Sequence, residues 1–487
     1  MIRWVCEKDS KKWIYPIEKC IYCRGPITKQ KGKRLKVIGI SKVNIASPMH
    51  PIIPYYVILL EDEYGNKMPK KVMREYKIGD NYEIKPAKSD NAVVITKIKY
   101  DMYEYLKESI LLLHQYGLNQ DDKIVIKPTI IEPAYAYQAV NTNPKVMDAL
   151  ILYLKELGIN DVIVAEQAMP GNDTISAAEK TGIIEVCKKY DVPFIDLSQA
   201  EYTKIDADGF SFNIAKDIVE RKIINVPVVK TNSQIGISAA MENMTRVVDR
   251  DTQKRMFDSD IEKTMPKLLK ALPGFLNIGD ASIGMQGNGP TSLGEPAFLN
   301  MLLASKDPVA MDKVASEIFM LPTPDYVKNA SDSGMGVSDI QNIEIVGDEI
   351  DAAKYRLKPA DKDSSPHPRI KIIDGKSNPY IFKNALDIVS KLIGLAGYEI
   401  NLAIGSCLTE EMLKGRSRIV VYGDDAIQKV RGFGLKPLAE ISEKTGDIEK
   451  IILLKSILED KSENSISITN RFKSKLAKAG AKVKKIL

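Results

Sequence analysis

Near residue 120 the apolar residues change period, and the break decides what each side can become. Before it lie four short β-rich runs, Leu35 to Val43, Tyr55 to Asp62, Asn81 to Ile84 and Asn91 to Lys99. Turn signals separate them at Ser47-Pro48, Glu63-Tyr64-Gly65-Asn66 and Ile78-Gly79-Asp80, with no long helical pattern between. Strands this close predict a small closed barrel over 36–99, with the cysteine-bearing segment 1–35 on its front. A connecting helix is expected from Tyr103 to Tyr116, stopped by Gly117.

Beyond the break, Lys123 to Lys127 reads as a buried strand. Asn143-Pro144 reads as an N-cap with proline in the first turn, Val146 to Leu157 as a helix ended by Gly158, and Asp161 to Ala165 as a strand again. A helix near Ser176 to Tyr190 and strands at Phe194 to Leu197 and Ile223 to Val229 continue the pattern. The expected fold class is multidomain α/β, with a parallel-sheet α/β domain over 118–360. The segment DKDSSPHPR, Asp361 to Arg369, reads as a linker to a smaller C-terminal α/β lobe over 370–460. In that lobe Phe382 to Leu395 and Asp425 to Phe433 are expected as helices, and Asn401 to Ile404 and Arg418 to Tyr422 as strands. A basic tail over 461–487 completes the chain, and a length of 487 residues suits about three domains.

A hydrophobic fraction of 44% with 28% charged residues excludes a mainly disordered or fibrous chain. No run approaches the roughly 18 apolar residues of a membrane helix. Met1 to Trp13 carries Arg3, Glu7, Lys8, Asp9, Lys11 and Lys12 in place of an apolar signal core, so a cytoplasmic location is expected. Net charge is +6, but residues 1–36 hold 11 Lys/Arg against three acids, and 471–487 hold seven against none. Basic ends of this kind suit solvated tails first, and RNA, an acidic partner or a coenzyme phosphate second.

Five cysteines cannot all pair within one chain, and three of them cluster at Cys6, Cys20 and Cys23. That distribution argues for a reducing compartment and a local metal site over disulfides. Two thiolates on the Cys20-Ile21-Tyr22-Cys23 knuckle with a third from Cys6 suit tetrahedral zinc in a structural role. The fourth ligand is open between His50, Asp9, a water or none, and cysteines that merely pack are the plain alternative. An iron–sulfur cluster is disfavoured without a fourth thiolate.

The run Gly279 to Pro290, with Gly294 after it, reads as a glycine-rich loop. Its backbone N–H groups would approach an anion closely, with Gly287, Gly289 and Gly294 as substrate-binding candidates. It lacks the features of a nucleotide fingerprint, so no nucleotide cofactor is expected. Lys127 and Lys230 lie at strand ends, where ligands of parallel sheets sit, and Asn232, Asn243 and Arg246 follow nearby. Converging lysines would bind a carboxylate or phosphate or stabilise developing negative charge. With only His50, His114 and His367 available, histidine catalysis is disfavoured. Lysine and carboxylate acid–base work is expected instead, with Lys127, Lys230, Asp280 and Asp312 as catalytic candidates.

Several motifs resemble known families. IVIKPT at Ile124 to Thr129, the NP-led helix from Asn143, INVPVVKT at Ile224 to Thr231, ENM at Glu242 to Met244, GNGPTSLG at Gly287 to Gly294 and SKDPVAMD at Ser305 to Asp312 resemble the Domain of Unknown Function 362 family. WVC at Trp4 to Cys6, YPIEKCIYC at Tyr15 to Cys23 and PYYVILLEDEYG at Pro54 to Gly65 resemble the zinc ribbon plus OB barrel of Domain of Unknown Function 35. The second resemblance implies an OB-type barrel, work near acyl thioesters and a thiolase-like partner. The leading expectation is an enzyme acting on a carboxylate, phosphate or acyl-CoA-derived substrate by a lyase, hydrolase or carbon–carbon bond reaction. A non-catalytic accessory or scaffold stands second, and nucleic-acid binding through the barrel, with its stacking tyrosines, third.

Overall fold

The computed structural model describes residues 1–361, 363–367, 369–392 and 399–443. The chain divides into two compact units, Met1–Gln253 with Glu262–Ala360, and Lys254–Ile261 with the chain from Asp361 onward.

The first unit opens with β1 (Ile2–Cys6), β2 (Lys12–Trp13) and β3 (Ile27–Lys31), paired antiparallel in the order β2-β1-β3. Trp4, Trp13, Cys6 and Cys20 form its small core. Next come β4 (Leu35–Val43), β5 (Tyr55–Glu61), β6 (Lys67–Val72) and β7 (Asn81–Tyr82), ordered β6-β5-β4-β7. Val37, Ile58, Leu60 and Val72 point to one buried side, as period-2 alternation requires.

The run expected as a fourth barrel strand goes elsewhere. Val93–Lys97 (β8) pairs antiparallel with Met301–Ser305 (β19) and parallel with Ile345–Gly347 (β20) of the large sheet. Its burial explains the choice, since Val93 to Ile95 are wholly inaccessible and need cover on both faces. The helix after it, Met102–Leu112 (α1), likewise packs on the sheet through Leu106 and Ile110. Thr96 Oγ1 and Ser109 Oγ lie 2.8 Å apart across that contact.

The large sheet contains β9 (Ile124–Pro128), β10 (Val162–Glu166), β11 (Phe194–Asp196), β14 (Lys222–Val226), β17 (Phe275–Gly287), β19 (Met301–Ser305) and β20 (Ile345–Gly347). Its order is β11-β10-β9-β14-β17-β19-β8-β20. β15 (Val228–Asn232) pairs with β16 (Gly236–Ser238) and β17, and β18 (Gly294–Ala297) pairs with β17. A separate hairpin joins β12 (Tyr202–Ala207) to β13 (Phe210–Ala215). From β11 to β17 all pairs are parallel, whereas β17, β19 and β8 run antiparallel. The sheet is therefore mixed and not parallel throughout. The reason lies in the connections, because β17 returns through short segments that allow only antiparallel neighbours.

Two further differences bear on the site. The expected strand Ile223 to Val229 is broken at Pro227, which has no N–H for the ladder; β14 and β15 lie on either side of it. The expected glycine loop is a 13-residue strand as far as Gly287. Glycine is needed there because a Cβ on Gly284 would lie 2.9 Å from the Val229 carbonyl oxygen.

The second unit holds β21 (Asp363–His367), β22 (Ile370–Asp374), β23 (Ile400–Ile404), β24 (Ile419–Tyr422) and β25 (Ala439–Ile441) in sequential order. β22 to β25 run parallel and β21 is an antiparallel edge. The segment read as a linker thus carries a strand. Helices Pro379–Leu392 and Asp424–Gly432 accompany the sheet. The basic tail, 461–487, lies outside the described residues. Among the described residues no helix is long and apolar enough to cross a membrane.

Candidate functional site

Two clusters bring chemistry-bearing groups together. The first lies at the carboxyl ends of β9, β10 and β15. Lys127, on β9, is fully buried; its Nζ donates to Glu166 Oε2 at 2.6 Å, the Asn243 carbonyl at 2.9 Å and the Pro128 carbonyl at 3.3 Å. Glu166 ends β10, is fully buried, and also accepts from the Gln167 amide at 2.8 Å. Asn243 ends the short helix Ala240–Asn243. Its Nδ2 donates to the carbonyls of Lys127 and Pro128, both at 3.2 Å, locking that helix to the strand end.

Arg246 sits one turn further on. Its Nη1 is 3.6 Å from Glu242 Oε1 and its Nε is 3.9 Å from Glu166 Oε1, both beyond hydrogen-bond reach. The residue is 6% exposed, yet Nε and Nη2 have no hydrogen-bond partner. Lys230, on β15, is buried and donates to the Val140 carbonyl at 2.8 Å and the Pro290 carbonyl at 3.3 Å.

Burial drives the Lys230 ammonium down to about 7, with Glu242 opposing and Arg246 reinforcing the shift. Burial also lowers Lys127, to about 8, against the pull of Glu166. Both shifts reflect the cost of holding an ammonium away from water. Arg246 and Lys230, electrostatic neighbours with carboxylates beside them, can bind an anion and exchange a proton near neutral pH.

The remaining candidates have other partners. Asp280 accepts from the Asn143 amide at 2.8 Å and from Ser282 N and Oγ at 3.0 and 2.6 Å. It therefore fixes the start of the helix Pro144–Glu156 (α2). Asp312 accepts from the amides of Ala240 and Met241 at 2.7 and 3.2 Å and from the Tyr326 hydroxyl at 3.1 Å. It holds the helix that carries Glu242 and Asn243. Burial raises its carboxyl to about 7, with those amides pulling the other way. Asn232 closes the β15–β16 turn, its Oδ1 accepting from the Gln234 amide and its Nδ2 donating to Ser238 Oγ, each at 2.8 Å.

The glycines answer to packing. A Cβ on Gly289 would stand 2.1 Å from the Thr231 carbonyl oxygen, and one on Gly294 would stand 2.5 Å from Met285 Sδ. Gly287 has φ +72°. These positions bring loop and strand together and leave no cradle for a ligand at those Cβ sites.

The second cluster is on the ribbon. Cys6 and Cys23 Sγ are 3.4 Å apart, Cys20 Sγ is 3.4 Å from Asp9 Oδ2, and the four ligand atoms lie within 4.8 Å of one another. Three sulfurs and one carboxylate oxygen are a fitting tetrahedral donor set for a metal ion. The fourth position falls to Asp9. His50, the other side chain weighed for it, instead packs against Tyr55 at 5.5 Å between ring centroids.

Residues 124–317 match the model of the family described as Domain of unknown function (DUF362). The match covers the central region and less than half of the chain. No curated protein matches the chain. Among solved structures the chain is similar to "Ltp2-ChsH2(DUF35) aldolase", at 16% identity over 21% of this chain and 76% of that one, with a TM-score of 0.15.

The matched region contains the whole first cluster, and the ribbon cysteines Cys6, Cys20 and Cys23 lie outside it. Glu166 escaped the sequence reading, as did the role of Glu242. A signal for Glu166 existed: it is the single acid ending the buried strand VIVAE, next to the strand that carries Lys127. A charge at the end of a wholly apolar parallel strand falls where such sheets place their ligands.

Proposed function

We propose that the matched region is an enzyme domain that binds a small carboxylate- or phosphate-bearing substrate at the Lys127–Glu166–Arg246–Lys230 cluster and moves a proton on it. One observation carries the reading. The Arg246 guanidinium is buried with Nε and Nη2 unpartnered, and its neighbouring carboxylates stand too far off to satisfy it. Buried donors are almost always paired, and a planar guanidinium is the group that grips carboxylate or phosphate through two parallel bonds.

In this reading Arg246 holds the anion through Nε and Nη2, and Lys230, poised near 7, passes the proton, while Lys127, its three N–H groups taken by Glu166, Asn243 and Pro128, fixes the floor of the site. Glu166 orients Lys127, while Asp280 and Asp312 keep the two supporting helices in place. Such proton transfer serves a lyase, a hydrolase or a carbon–carbon bond reaction, and an acyl thioester meets the same demand through its carbonyl.

The test is thermal unfolding of the whole protein with malonate, acetoacetate, inorganic phosphate and methyl phosphate. At least one should raise the midpoint, and Arg246→Gln should abolish the rise. If none stabilises the wild type and Arg246→Gln unfolds at the same temperature, the domain is a scaffold without turnover. The ribbon cluster supports a second assignment, one structural zinc ion on Cys6, Asp9, Cys20 and Cys23, which would tie β1 to the knuckle.

A further inference from the structure

A cavity of about 670 Å³ lies within the first unit, between the N-terminal strands and the large sheet. It is remote in sequence from the Lys127–Arg246 cluster and shares none of its residues. Its size falls in the range of small-molecule sites. Trp4, Ile14, Met49, Leu60 and Met68 form one wall, and Ile95, Ile98, Tyr105, Leu112, Phe298 and Leu299 the other. At its rim Phe298 is 59% and Met49 52% exposed.

Charge is distributed unevenly around this apolar interior. Eight lysines and arginines line the cavity against five carboxylates, and three of those carboxylates are already engaged. Asp348 takes Lys70 at 2.6 Å, Glu104 takes Lys29 and Lys31, and Asp101 caps α1 through the Tyr103 amide at 3.1 Å. Glu83 and Glu108 are the other two.

Four basic groups gather with no carboxylate within ion-pair distance among the described residues, although Asp348 attracts Lys97 and Lys99 and Asp351 attracts Lys71 from further off. Lys97 Nζ reaches only the Leu299 carbonyl, at 3.4 Å, Lys99 Nζ donates to the Pro69 carbonyl, and Lys71 Nζ lies 3.5 Å from His50 Nδ1. Among the described residues none of these lysines forms an ion pair. Burial lowers the affinity of all four for a proton, and Lys71 and Lys97 press His50 further in the same direction. An anion seated among them would relieve that repulsion.

We propose that this cavity is a second ligand site, for an amphiphilic organic anion whose aliphatic chain fills the apolar interior and whose carboxylate or phosphate head meets Lys71, Lys97, Lys99 and His50. The assignment stands independently of the function proposed for the matched region.

Because Trp4 lines the cavity, a brominated chain reports its own arrival by quenching. The whole protein is titrated with 12-bromododecanoate while tryptophan emission is followed. Saturable one-to-one quenching is expected. Dodecanoate or dodecyl phosphate should displace the probe, the tighter of the two naming the head group, and dodecyltrimethylammonium should not. The double substitution Lys97→Met with Lys99→Met should weaken binding at least about tenfold. Lys97→Arg, which keeps the charge, should retain it and so shows that the fold tolerates change at this position. Arg246→Gln should leave the quenching unchanged, which separates this site from the other cluster. Absence of quenching, equal displacement by the cationic amphiphile, or full affinity in the double variant would each overturn the proposal.

Discussion

Lys230 illustrates how a strand-end residue acquires a chemical disposition from its surroundings. Its ordinary value is 10.5, and burial brings it to about 7 in the folded chain. The folded state therefore binds its proton less well than the unfolded state. Below pH 7 both states carry the charge and folding bears the full burial cost. As pH rises from 7 to 10.5 that cost fades, because the folded chain can shed the proton. Lys230→Met removes the charge altogether. Its gain in urea midpoint over the wild type should be largest near pH 6 and shrink steadily toward pH 10. A difference that stays constant across that range would show that Lys230 titrates as an ordinary lysine. At the ribbon, Asp9 is the residue whose chemistry decides the metal. Asp9→Ala should weaken zinc binding at least about tenfold, while Asp9→Cys completes a four-thiolate site and should tighten it. Competition with a chromogenic chelator measures both, and equal affinity in all three proteins would remove Asp9 from the ligand set.

Elements show why glycine and proline carry more structural than catalytic meaning in this chain. Gly289 meets the Thr231 carbonyl so closely that an added Cβ would sit 2.1 Å from it, whereas Gly432, at the end of Asp424–Gly432, has nothing within 4 Å. Gly289→Ala should cost roughly 1–3 kcal/mol in equilibrium unfolding by overpacking, and Gly432→Ala should be neutral or stabilising by up to about 1 kcal/mol. Equal effects would mean that the loop yields freely. The same contrast explains what was legible beforehand. Asn143-Pro144 and Gly158 bracket a helix by local chemistry alone, and α2 runs from Pro144 to Glu156 as those signals require. Lys127 is visible because a charge at the end of an apolar strand is a local pattern, Asn243 and Arg246 because they follow such a strand end closely in sequence, and the structure places the Asn243 carbonyl on Lys127 and Arg246 beside Glu166. The destination of Val93–Lys97 was not visible, since a β-rich run looks the same in a barrel and in a central sheet. Gly279 and Gly284 misled for a related reason, because a close neighbour across a sheet leaves glycine as its only trace.

At the scale of the whole molecule, the chain does not separate its first hundred residues from the sheet that follows. β8 lies between β19 and β20, with five residues in register with β19, from Met301 opposite Lys97 to Ser305 opposite Val93. Ala87, just before it, belongs to the main core, its amide donating to the Leu112 carbonyl at 2.8 Å and its carbonyl lying 2.7 Å from His114 Nε2. α1 then packs on the same face and binds Lys31 of the ribbon through Glu104 at 3.7 Å. A fragment starting at 118, the boundary the sequence pattern suggests, would strip away β8 and α1. It would leave β19 and β20 as unpaired apolar edges, the arrangement most prone to edge-to-edge association. A fragment starting at 85 keeps both elements and loses only the two small N-terminal sheets. Residues 85–487 should therefore unfold cooperatively in urea and run as a discrete species on size exclusion, whereas residues 118–487 should aggregate. Should the shorter fragment prove equally soluble and cooperative, β8 would be an accessory strand laid on a complete sheet, and the N-terminal hundred residues a separable module.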